Sequence, residues 1–324
     1  MKFKVDGTRR VALCASLLAL ALLGSCGGGG QVTRYVPARV LAFGDETSVI
    51  NADDHSKYSV NALATGSTTT LDCAANPLWI QHLASAYALV FPECNPANVA
   101  APASRIYAKN AARAGDLAAQ IDLHLSSSGL SASDLATVLV GANDIIAQYQ
   151  LYPGVSEAQL SANLEQAGAA LAAQVNRLAG LGAKVLVSTA PDIGLTPYAL
   201  AQNSSVEAGR GALLSRLSAS FNSAMRKAIL NDGRKIGLVL ADELVQSIVK
   251  NVTVVKTYVN VTQAACSVTV ALRACTTTTV VTDPTTHLLA NGATWLWADD
   301  RHIGPGAQAS LGALAASRAA GNPF

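Results

Sequence analysis

The sequence has no run of basic residues and little net charge of either sign. Its 23 lysine and arginine residues nearly balance its 21 aspartate and glutamate residues, and the formal net charge is +2. Nucleic-acid binding depends on concentrated positive charge that neutralises phosphates. The composition therefore argues against a nucleic-acid partner.

Signatures of common cofactor and metal sites are also missing. The sequence contains no Cys-x-x-Cys pair, and His287, the histidine nearest to the later cysteines, lies in a threonine-rich segment. The turn after the first predicted strand, Gly44-Asp45-Glu46, is too short and too acidic to hold the phosphates of a dinucleotide. We therefore expect no cofactor and no bound metal.

Apolar runs long enough to cross a bilayer are absent. The shorter apolar run near the N-terminus is typical of a signal peptide. Basic residues precede the apolar segment 11–23, so residues 1–25 are predicted to be a signal peptide. The sequence Leu23-Gly24-Ser25-Cys26 resembles a lipobox, in which the cysteine is acylated and becomes the new N-terminus. We expect lipid attachment at Cys26, followed by a flexible tether over residues 26–37.

The predicted lipid anchor determines where the protein is expected to act. An acylated, exported chain is held at a bacterial membrane, and no acidic residue directly follows Cys26, which favours the outer membrane. We therefore expect a monomeric, periplasmic or surface-facing lipoprotein whose membrane contact is the lipid anchor.

Four cysteines remain once the signal peptide and the acylated cysteine are set aside. An even number of cysteines in an exported protein indicates disulfides rather than metal ligands. Proximity in the sequence favours the pairs Cys73–Cys94 and Cys266–Cys275, although four cysteines allow three pairings in all. Two disulfides are therefore expected in the exported chain.

Two kinds of apolar pattern alternate along the rest of the chain. Apolar residues with a 3.6-residue period predict helices over Ser156–Leu181 and Val206–Asn231. Short apolar runs bounded by turn signals predict five buried strands, which are Arg39–Phe43, Arg105–Ala108, Leu135–Val140, Lys184–Ser188 and Ile236–Leu240. The alternation predicts a three-layer α/β/α sandwich around a parallel, flavodoxin-like, five-stranded sheet.

Two segments interrupt the alternation of strands and helices. Residues 51–77 and residues 251–291, the latter rich in threonine and valine, are predicted to be insertions over one end of the sheet. Internal repeats are absent, and the length suits one α/β domain with insertions. Residues 38–324 are therefore predicted to form a single domain.

Polar motifs follow the predicted strands in order along the chain. They are Phe43-Gly44-Asp45-Glu46-Thr47-Ser48, Asn110-Ala111-Ala112-Arg113-Ala114-Gly115-Asp116, Gly141-Ala142-Asn143-Asp144 and, near the C-terminus, Asp299-Asp300-Arg301-His302. With these motifs the chain resembles the SGNH/GDSL hydrolase family across nearly its whole mature length. The resemblance implies an esterase or lipase that acts on acyl or acetyl esters, and the predicted lipid anchor places it in the cell envelope.

The resemblance also assigns roles to individual residues. In that family a serine in the first motif is the nucleophile, the second and third motifs complete the oxyanion hole, and the last supplies acid and base. The matching residues here are Gly115 and Asn143 for the oxyanion hole and Asp299 and His302 for the acid–base pair. At the position of the nucleophilic serine this chain has Glu46.

A carboxylate at the serine position cannot support the ordinary mechanism, because its attack on an ester would give a mixed anhydride. Three hypotheses remain open. In the first, Glu46 is a general base that activates water, with His302 as its partner. In the second, Ser48 or Thr47 is the nucleophile, although two residues along a helical turn the Ser48 hydroxyl should point away from His302. In the third, the chain is an inactive relative that binds an ester, lipid or glycan, and Glu46 fills the oxyanion hole.

Overall fold

The computed structural model of the protein describes residues 35–205, 208–255 and 257–321. The predicted signal peptide, the acylated Cys26 and the tether up to Arg34 lie outside the described residues. Tyr35, predicted to belong to the flexible tether, instead packs against the hydrophobic core and lies beside the ammonium group of Lys184. Tyr35 therefore packs with the domain that was predicted over residues 38–324.

Five parallel strands form the central sheet, in the order β2-β1-β3-β4-β5. The strands are β1 (Arg39–Gly44), β2 (Arg105–Ile106), β3 (Asp134–Leu139), β4 (Lys184–Ser188) and β5 (Ile236–Val239). This order is the flavodoxin-like one, in which β1 and β3 are neighbours where the winding direction of the chain reverses. The predicted parallel five-stranded sheet is confirmed.

The helices are α1 (Trp79–Ser85), α2 (Leu117–Leu125), α3 (Ala142–Tyr149), α4 (Glu157–Gly180), α5 (Pro197–Ser205), α6 (Arg210–Ala228), α7 (Ala241–Val255) and α8 (Pro305–Ala320). Helix α4 begins as predicted, because the Oγ of Ser156 accepts a hydrogen bond from the Gln159 N–H at 3.3 Å. The helix predicted over Val206–Asn231 is shorter, and Val206 lies outside the described residues. Within the part of the chain that the structure describes, no helix is both long and apolar enough to cross a bilayer.

Both faces of the sheet are covered, which explains why its strands are continuous apolar runs. Successive side chains of a strand point to opposite faces. Leu41 and Phe43 therefore pack with α2, α3, α4 and α6, whereas Val40 and Ala42 pack with α1, α7 and α8. The predicted three-layer α/β/α sandwich is confirmed.

The two segments predicted as insertions lie between the regular elements of the sandwich. Residues 49–78 form turns and isolated bridges. The second segment contains β6 (Asn260–Ala264), which pairs in parallel with β7 (Trp295–Trp297). Residues 251–255 form the last turn of α7, so the second irregular segment starts later than the predicted boundary at 251.

Both disulfides have the pairing that sequence proximity favoured. Cys73 is bonded to Cys94, 21 positions along the chain, and Cys266 is bonded to Cys275, nine positions along. The first links residues 49–78 to the segment after α1, and the second closes a loop within the irregular segment after α7. Each disulfide therefore holds a region that lacks helices and strands of the main sandwich.

Candidate active site

The candidate site lies where the neighbouring strands β1 and β3 end at the same edge of the sheet. A glycine with positive φ stands at each end, Gly44 at 125° and Gly141 at 133°. A Cβ on Gly44 would lie 1.9 Å from the carbonyl oxygen of Leu139, so only glycine allows this close passage. The chain leaves these glycines with Glu46 and Asn143 at the carboxyl edge of the sheet, where α/β folds bind ligands.

A short 3₁₀ turn, Glu46–Ser48, presents the carboxylate of Glu46. Asp45 caps this turn, because its Oδ1 accepts a hydrogen bond from the Thr47 N–H at 3.0 Å. Asp45 and Glu46 are only 1% and 5% exposed. Burial and the nearby charge of Glu46 raise the pKa of Asp45 to about 8, so its carboxyl is protonated at neutral pH.

The carboxylate of Glu46 accepts hydrogen bonds from three different parts of the chain. Its Oε2 accepts from the backbone N–H of Ala111 at 2.8 Å and from the Asn143 amide at 3.1 Å. Its Oε1 accepts from the same amide at 3.3 Å and faces Nε2 of His302 at 3.1 Å. The residue at the serine position is therefore anchored to the candidate oxyanion donors and to the histidine.

His302 lies between two carboxylates. Its Nδ1 is 2.8 Å from Oδ2 and 2.9 Å from Oδ1 of Asp299, while its Nε2 faces Glu46. The Oδ1 of Asp299 also accepts from the backbone N–H groups of Arg301 and His302, at 2.9 and 2.7 Å. These bonds determine the orientation of the ring, and both ring nitrogens face acceptors, as a charged imidazolium requires.

The electrostatics of the site favour this imidazolium. Burial lowers the pKa of His302, but hydrogen bonds to Asp299 and Glu46 outweigh burial and raise the pKa to about 10. Burial also raises the pKa values of Glu46 and Asp299, yet their bonds to His302 prevail and lower both pKa values below the usual range. At neutral pH the three groups form a carboxylate–imidazolium–carboxylate chain with one net negative charge.

Asn143 and Asp144 hold the second loop against the first turn. The Asn143 amide donates to the carbonyl of Ala112 at 3.2 Å, as well as to Glu46. The Oδ2 of Asp144 accepts from the N–H of Ala114 at 3.1 Å, and burial raises the pKa of Asp144 to about 6. The start of α3 therefore supplies one donor to the site and fastens the loop that supplies the other.

The structure does not bring Gly115 into contact with Glu46. The backbone N–H that reaches Glu46 belongs to Ala111, whereas Gly115 is exposed and lies in the 3₁₀ turn Ala114–Asp116. Ala111 has a φ of 58°, a left-handed conformation that is uncommon for alanine and that directs its N–H towards Glu46. Sequence spacing carries no signal for such a conformation, so Ala111 could not be identified before the structure.

The structure also argues against Ser48 as a replacement nucleophile. Ser48 is completely buried, and its Oγ accepts a hydrogen bond from the indole Nε1 of Trp79 at 3.0 Å. The hydroxyl therefore points into the core, as its position along the turn predicted, and a substrate cannot reach it. Ser48 is a core contact of α1.

Tyr58 is a neighbour of the site that no sequence motif indicated. Its ring centroid lies 6.3 Å from that of His302, and the two planes are tilted by 39°. The residue comes from the irregular segment 49–78, which has no counterpart in the sheet-end motifs. This segment therefore supplies an aromatic face to the site.

The hydrogen-bond donors of the site already bind the anionic oxygens of Glu46 when no substrate is present. An ionised carboxylate has about four acceptor positions, and Glu46 uses both oxygens twice. The group bonded to Nε2 of His302 is a carboxylate oxygen rather than a hydroxyl. Among the described residues, no group of three or more histidine, cysteine, aspartate or glutamate side chains is arranged so that it could hold a metal ion.

Comparison with known proteins places this geometry in context. Residues 41–312 match the family model described as GDSL-like Lipase/Acylhydrolase. The matched range contains all five residues whose roles were predicted from the motifs. No curated protein sequence matches the chain.

Several solved structures are similar in fold at low sequence identity. An acetylxylan esterase from Geobacillus stearothermophilus is 11% identical, with 89% of this chain and 97% of that chain covered and a TM-score of 0.44. An extracellular lipase from Streptomyces rimosus is 16% identical over 87% of this chain and 99% of that chain, with a TM-score of 0.44. A phospholipase A1 from Streptomyces albidoflavus NA297 is 17% identical over the same shares, with a TM-score of 0.42.

Proposed function

Because the chain belongs to the GDSL-like lipase/acylhydrolase family of ester-hydrolysing enzymes, we propose that it hydrolyses carboxylic esters with Glu46 as a general base acting on water. One observation carries this proposal. The Glu46 carboxylate is bonded both to His302 and to the donors expected to bind an oxyanion, Ala111 N–H and the Asn143 amide. The proposed base Glu46 therefore contacts both the proposed acid His302 and the proposed oxyanion donors.

The reaction begins when the carbonyl oxygen of an ester displaces the carboxylate from its donors. Ala111 N–H and the Asn143 amide then stabilise negative charge on that oxygen. Glu46 keeps its contact with His302 but loses its bond to the Ala111 N–H, which helps to lower its pKa. It thereby becomes a stronger base and takes a proton from a water molecule as the water attacks the carbonyl carbon.

His302 completes the cycle as an acid. The imidazolium donates its Nε2 proton to the alkoxide that leaves when the tetrahedral intermediate collapses, so the alcohol departs neutral. Glu46 then returns its proton to His302 across their 3.1 Å contact. Asp299 holds the ring and stabilises its charge throughout, and no covalent intermediate with the protein forms.

A second candidate function is ligand binding without turnover. The observation in its favour is that both oxygens of Glu46 are already bonded twice, which leaves little capacity to accept a proton from water. In this case the carboxylate permanently occupies the oxyanion site, and the neighbouring surface binds an ester, lipid or glycan.

The experiment that separates the candidates is hydrolysis of nitrophenyl esters by the purified protein, by three variants of the site and by one control variant. For the water mechanism we expect Glu46→Gln and His302→Ala each to lose about 10²–10⁴-fold in kcat/KM. Glu165→Gln, which changes an exposed glutamate of α4, is the matched control and should retain activity.

Glu46→Ser is the third variant, since it restores a hydroxyl beside His302. We expect this variant to release nitrophenol in a burst, because a serine forms an acyl intermediate. If the unmodified protein and His302→Ala are equally inactive while Glu46→Ser is active, the water mechanism is wrong and the binding function is supported.

For the cellular location we propose an exported lipoprotein, acylated at Cys26 and held at a bacterial membrane, with the outer membrane preferred. The two disulfides support an oxidising compartment outside the cytoplasm. Incorporation of a labelled fatty acid by the full chain and its loss in Cys26→Ser would test the anchor. Equal labelling of both proteins would rule it out.

A further inference from the structure

Residues 56–61 place one side chain beside the candidate site and bury all of the others. Tyr58 is half-buried, and its ring lies next to that of His302. The other five residues are at most 1% exposed, and they are Ser56, Lys57, Ser59, Val60 and Asn61. This stretch therefore contributes a single accessible side chain to the surroundings of the site.

The residue before Tyr58 is fixed by three hydrogen bonds of its ammonium group. Lys57 is completely buried, and its Nζ donates at 2.5–3.1 Å to the backbone carbonyls of Cys73, Ala75 and Asn76. A buried ammonium group is costly unless it is well bonded, and burial lowers the pKa of Lys57 to about 8. The three carbonyls offset this cost and hold the backbone at Lys57 in one position.

The residue after Tyr58 is bonded to the chain that carries the histidine. The hydroxyl of Ser59 is completely buried and donates to the carbonyl of Ile303 at 3.2 Å. Ile303 directly follows His302 in the sequence. Both neighbours of Tyr58 are therefore fixed, and the fold determines the distance between the rings of Tyr58 and His302.

The two rings lie at a distance where aromatic groups attract each other. Their centroids are 6.3 Å apart and their planes are tilted by 39°, and aromatic pairs interact at centroid separations of about 4.5–7 Å. At neutral pH His302 is an imidazolium, and a cation is attracted to an electron-rich ring. The side chain of His302 is only 15% exposed, so little water screens this attraction.

The ring of Tyr58 carries no charge of its own beside the imidazolium. Burial raises the pKa of Tyr58, and the net change is upward, so the hydroxyl stays protonated at neutral pH. The charged groups that act on this hydroxyl are Arg273, which lowers its pKa, and Glu46, Asp54 and Asp53, which raise it.

We propose that Tyr58 is a positioning residue that holds the His302 imidazolium in place with its aromatic ring. The inference rests on the proposed function, in which Glu46 takes a proton from water and becomes neutral. His302 then loses the charge of one of its two carboxylate partners just before it delivers its proton to the leaving alkoxide. The attraction to the ring of Tyr58 does not depend on a titrating group, so it persists through this step.

The test compares Tyr58→Leu with Tyr58→Phe in the hydrolysis of nitrophenyl esters. Leucine keeps an apolar side chain beside His302 but removes the ring, whereas phenylalanine keeps the ring and removes only the hydroxyl. Loss of a cation–aromatic contact near the surface should change a rate or equilibrium constant by about 2–5-fold. Because Tyr58 acts through the acid and not on the substrate, Tyr58→Leu should lose this factor in kcat with KM unchanged, and Tyr58→Phe should keep both.

A nuclear magnetic resonance titration of His302 tests the contact without turnover. The chain has five histidines, and the ring-proton resonance that is missing in His302→Gln belongs to His302. Without the ring to stabilise the cation, Tyr58→Leu should lower the pKa of His302, so that its affinity for the proton falls about 2–5-fold. In Tyr58→Phe the pKa of His302 should equal that of the unmodified protein.

Tyr152→Leu is the matched control, because Tyr152 is also half-buried and its ring centroid lies 4.5 Å from the guanidinium carbon of Arg210. This variant should leave both kcat and the pKa of His302 unchanged. Equal losses in Tyr58→Phe and Tyr58→Leu would assign the effect to the hydroxyl and overturn the proposal. An unchanged pKa of His302 in Tyr58→Leu would also overturn it.

The titration does not depend on hydrolysis, so the two proposals can fail separately. If no ester is hydrolysed but the pKa of His302 falls in Tyr58→Leu and not in Tyr58→Phe, the role of Tyr58 stands and the water mechanism fails. If hydrolysis requires Glu46 and His302 while Tyr58→Leu changes neither kcat nor the pKa of His302, the role of Tyr58 fails alone.

Discussion

At the scale of single residues, the length of one side chain changes the chemistry of the site. A glutamate reaches two bonds further than a serine, and its oxygens therefore meet the donors that a serine leaves free for a substrate. The same carboxylate keeps His302 charged, because an imidazolium between two carboxylates loses its proton only at high pH. The carboxylate of Glu46 thus affects the Ala111 and Asn143 donors and the histidine together.

The charge of His302 predicts a pH dependence of stability. The pKa of His302 is raised from 6.5 to about 10 on folding. The contribution of protonated His302 to the stability of the folded protein is therefore complete below pH 6.5 and is lost as pH rises towards 10. Loss of this partner from the buried carboxylate of Glu46 and the half-buried carboxylate of Asp299 should cost about 3–5 kcal/mol. We therefore expect His302→Gln to be much less stable than the unmodified protein at pH 6 and the difference to narrow by pH 10.

Urea unfolding at a series of pH values would measure this difference. His287→Gln, a change at an exposed histidine remote from these contacts, should show no such trend. A constant gap between His302→Gln and the unmodified protein from pH 6 to pH 10 would contradict the ion-pair assignment.

Replacing the buried carboxyl of Asp45 should increase stability, which is the opposite of the effect expected for replacing His302. Its Oδ2 has no hydrogen-bond partner among the described residues, and its pKa is raised from 3.8 to about 8. The folded state therefore resists ionisation of this group, and the cost grows as pH rises from 4 to 8. We expect Asp45→Asn to be about as stable as the unmodified protein at pH 4 and more stable at pH 8.

Thermal unfolding of Asp45→Asn across this pH range would test the assignment. Asp122→Asn, which alters an exposed carboxylate of α2, serves as the control. A stability difference for Asp45→Asn that stays level from pH 4 to pH 8 would show that Asp45 ionises freely in the folded protein.

At the scale of elements, α4 and α6 support the site from one face of the sheet. Their close contact depends on Gly168 of α4, where an added Cβ would lie 2.3 Å from the carbonyl oxygen of Phe221. Phe221 in turn packs against Gly141, the glycine that precedes Asn143. The packing of α4 against α6 therefore supports the start of α3, which carries the Asn143 amide of the site.

A pair of glycine substitutions in α4 separates packing from helix propensity. Alanine favours a helix over glycine by about 1 kcal/mol, but at Gly168 the clash with α6 should outweigh this and cost about 1–3 kcal/mol. Gly180→Ala, in the same helix with open space around the new Cβ, should be neutral or stabilising. Equal effects of the two substitutions on urea unfolding would contradict the close contact.

At the scale of the whole molecule, the two irregular segments support each other. Asn61 of the first forms a bridge with Thr276 of the second, and its amide donates to the carbonyls of Arg273 and Cys275, both at 3.2 Å. The Arg273 guanidinium pairs with Asp53 and Asp54 at 3.0 Å. These regions lack the hydrogen bonds of sheets and helices, so side chains and disulfides take their place.

The disulfides should therefore contribute measurably to stability. Closing loops of these lengths is expected to contribute about 3 kcal/mol each, somewhat more for the longer loop of Cys73–Cys94. We expect double serine replacement of either pair to lower the free energy of unfolding by about that amount, measured in urea without reductant. Addition of reductant should affect each variant less than the unmodified protein, and an equal effect would show that the disulfides do not stabilise the fold.

The sequence by itself determined the α/β sandwich, the order of its strands and helices, and the family. Buried strands must be apolar on both faces and amphipathic helices must repeat every 3.6 residues, so Lys184–Ser188 and the start of α4 at Ser156 were predictable from local pattern. The pairing of the cysteines followed from proximity, and Glu46 and His302 were identifiable because the family motifs are short and local.

Only the tertiary structure decided which groups surround Glu46. The positive φ of Ala111 selects its N–H over that of Gly115, and the core position of Trp79 removes Ser48 from the surface. The second insertion begins after residue 255 because α7 continues to bury its apolar face beyond the predicted boundary. These features depend on contacts between segments that are distant in the sequence, and local sequence patterns do not predict such contacts.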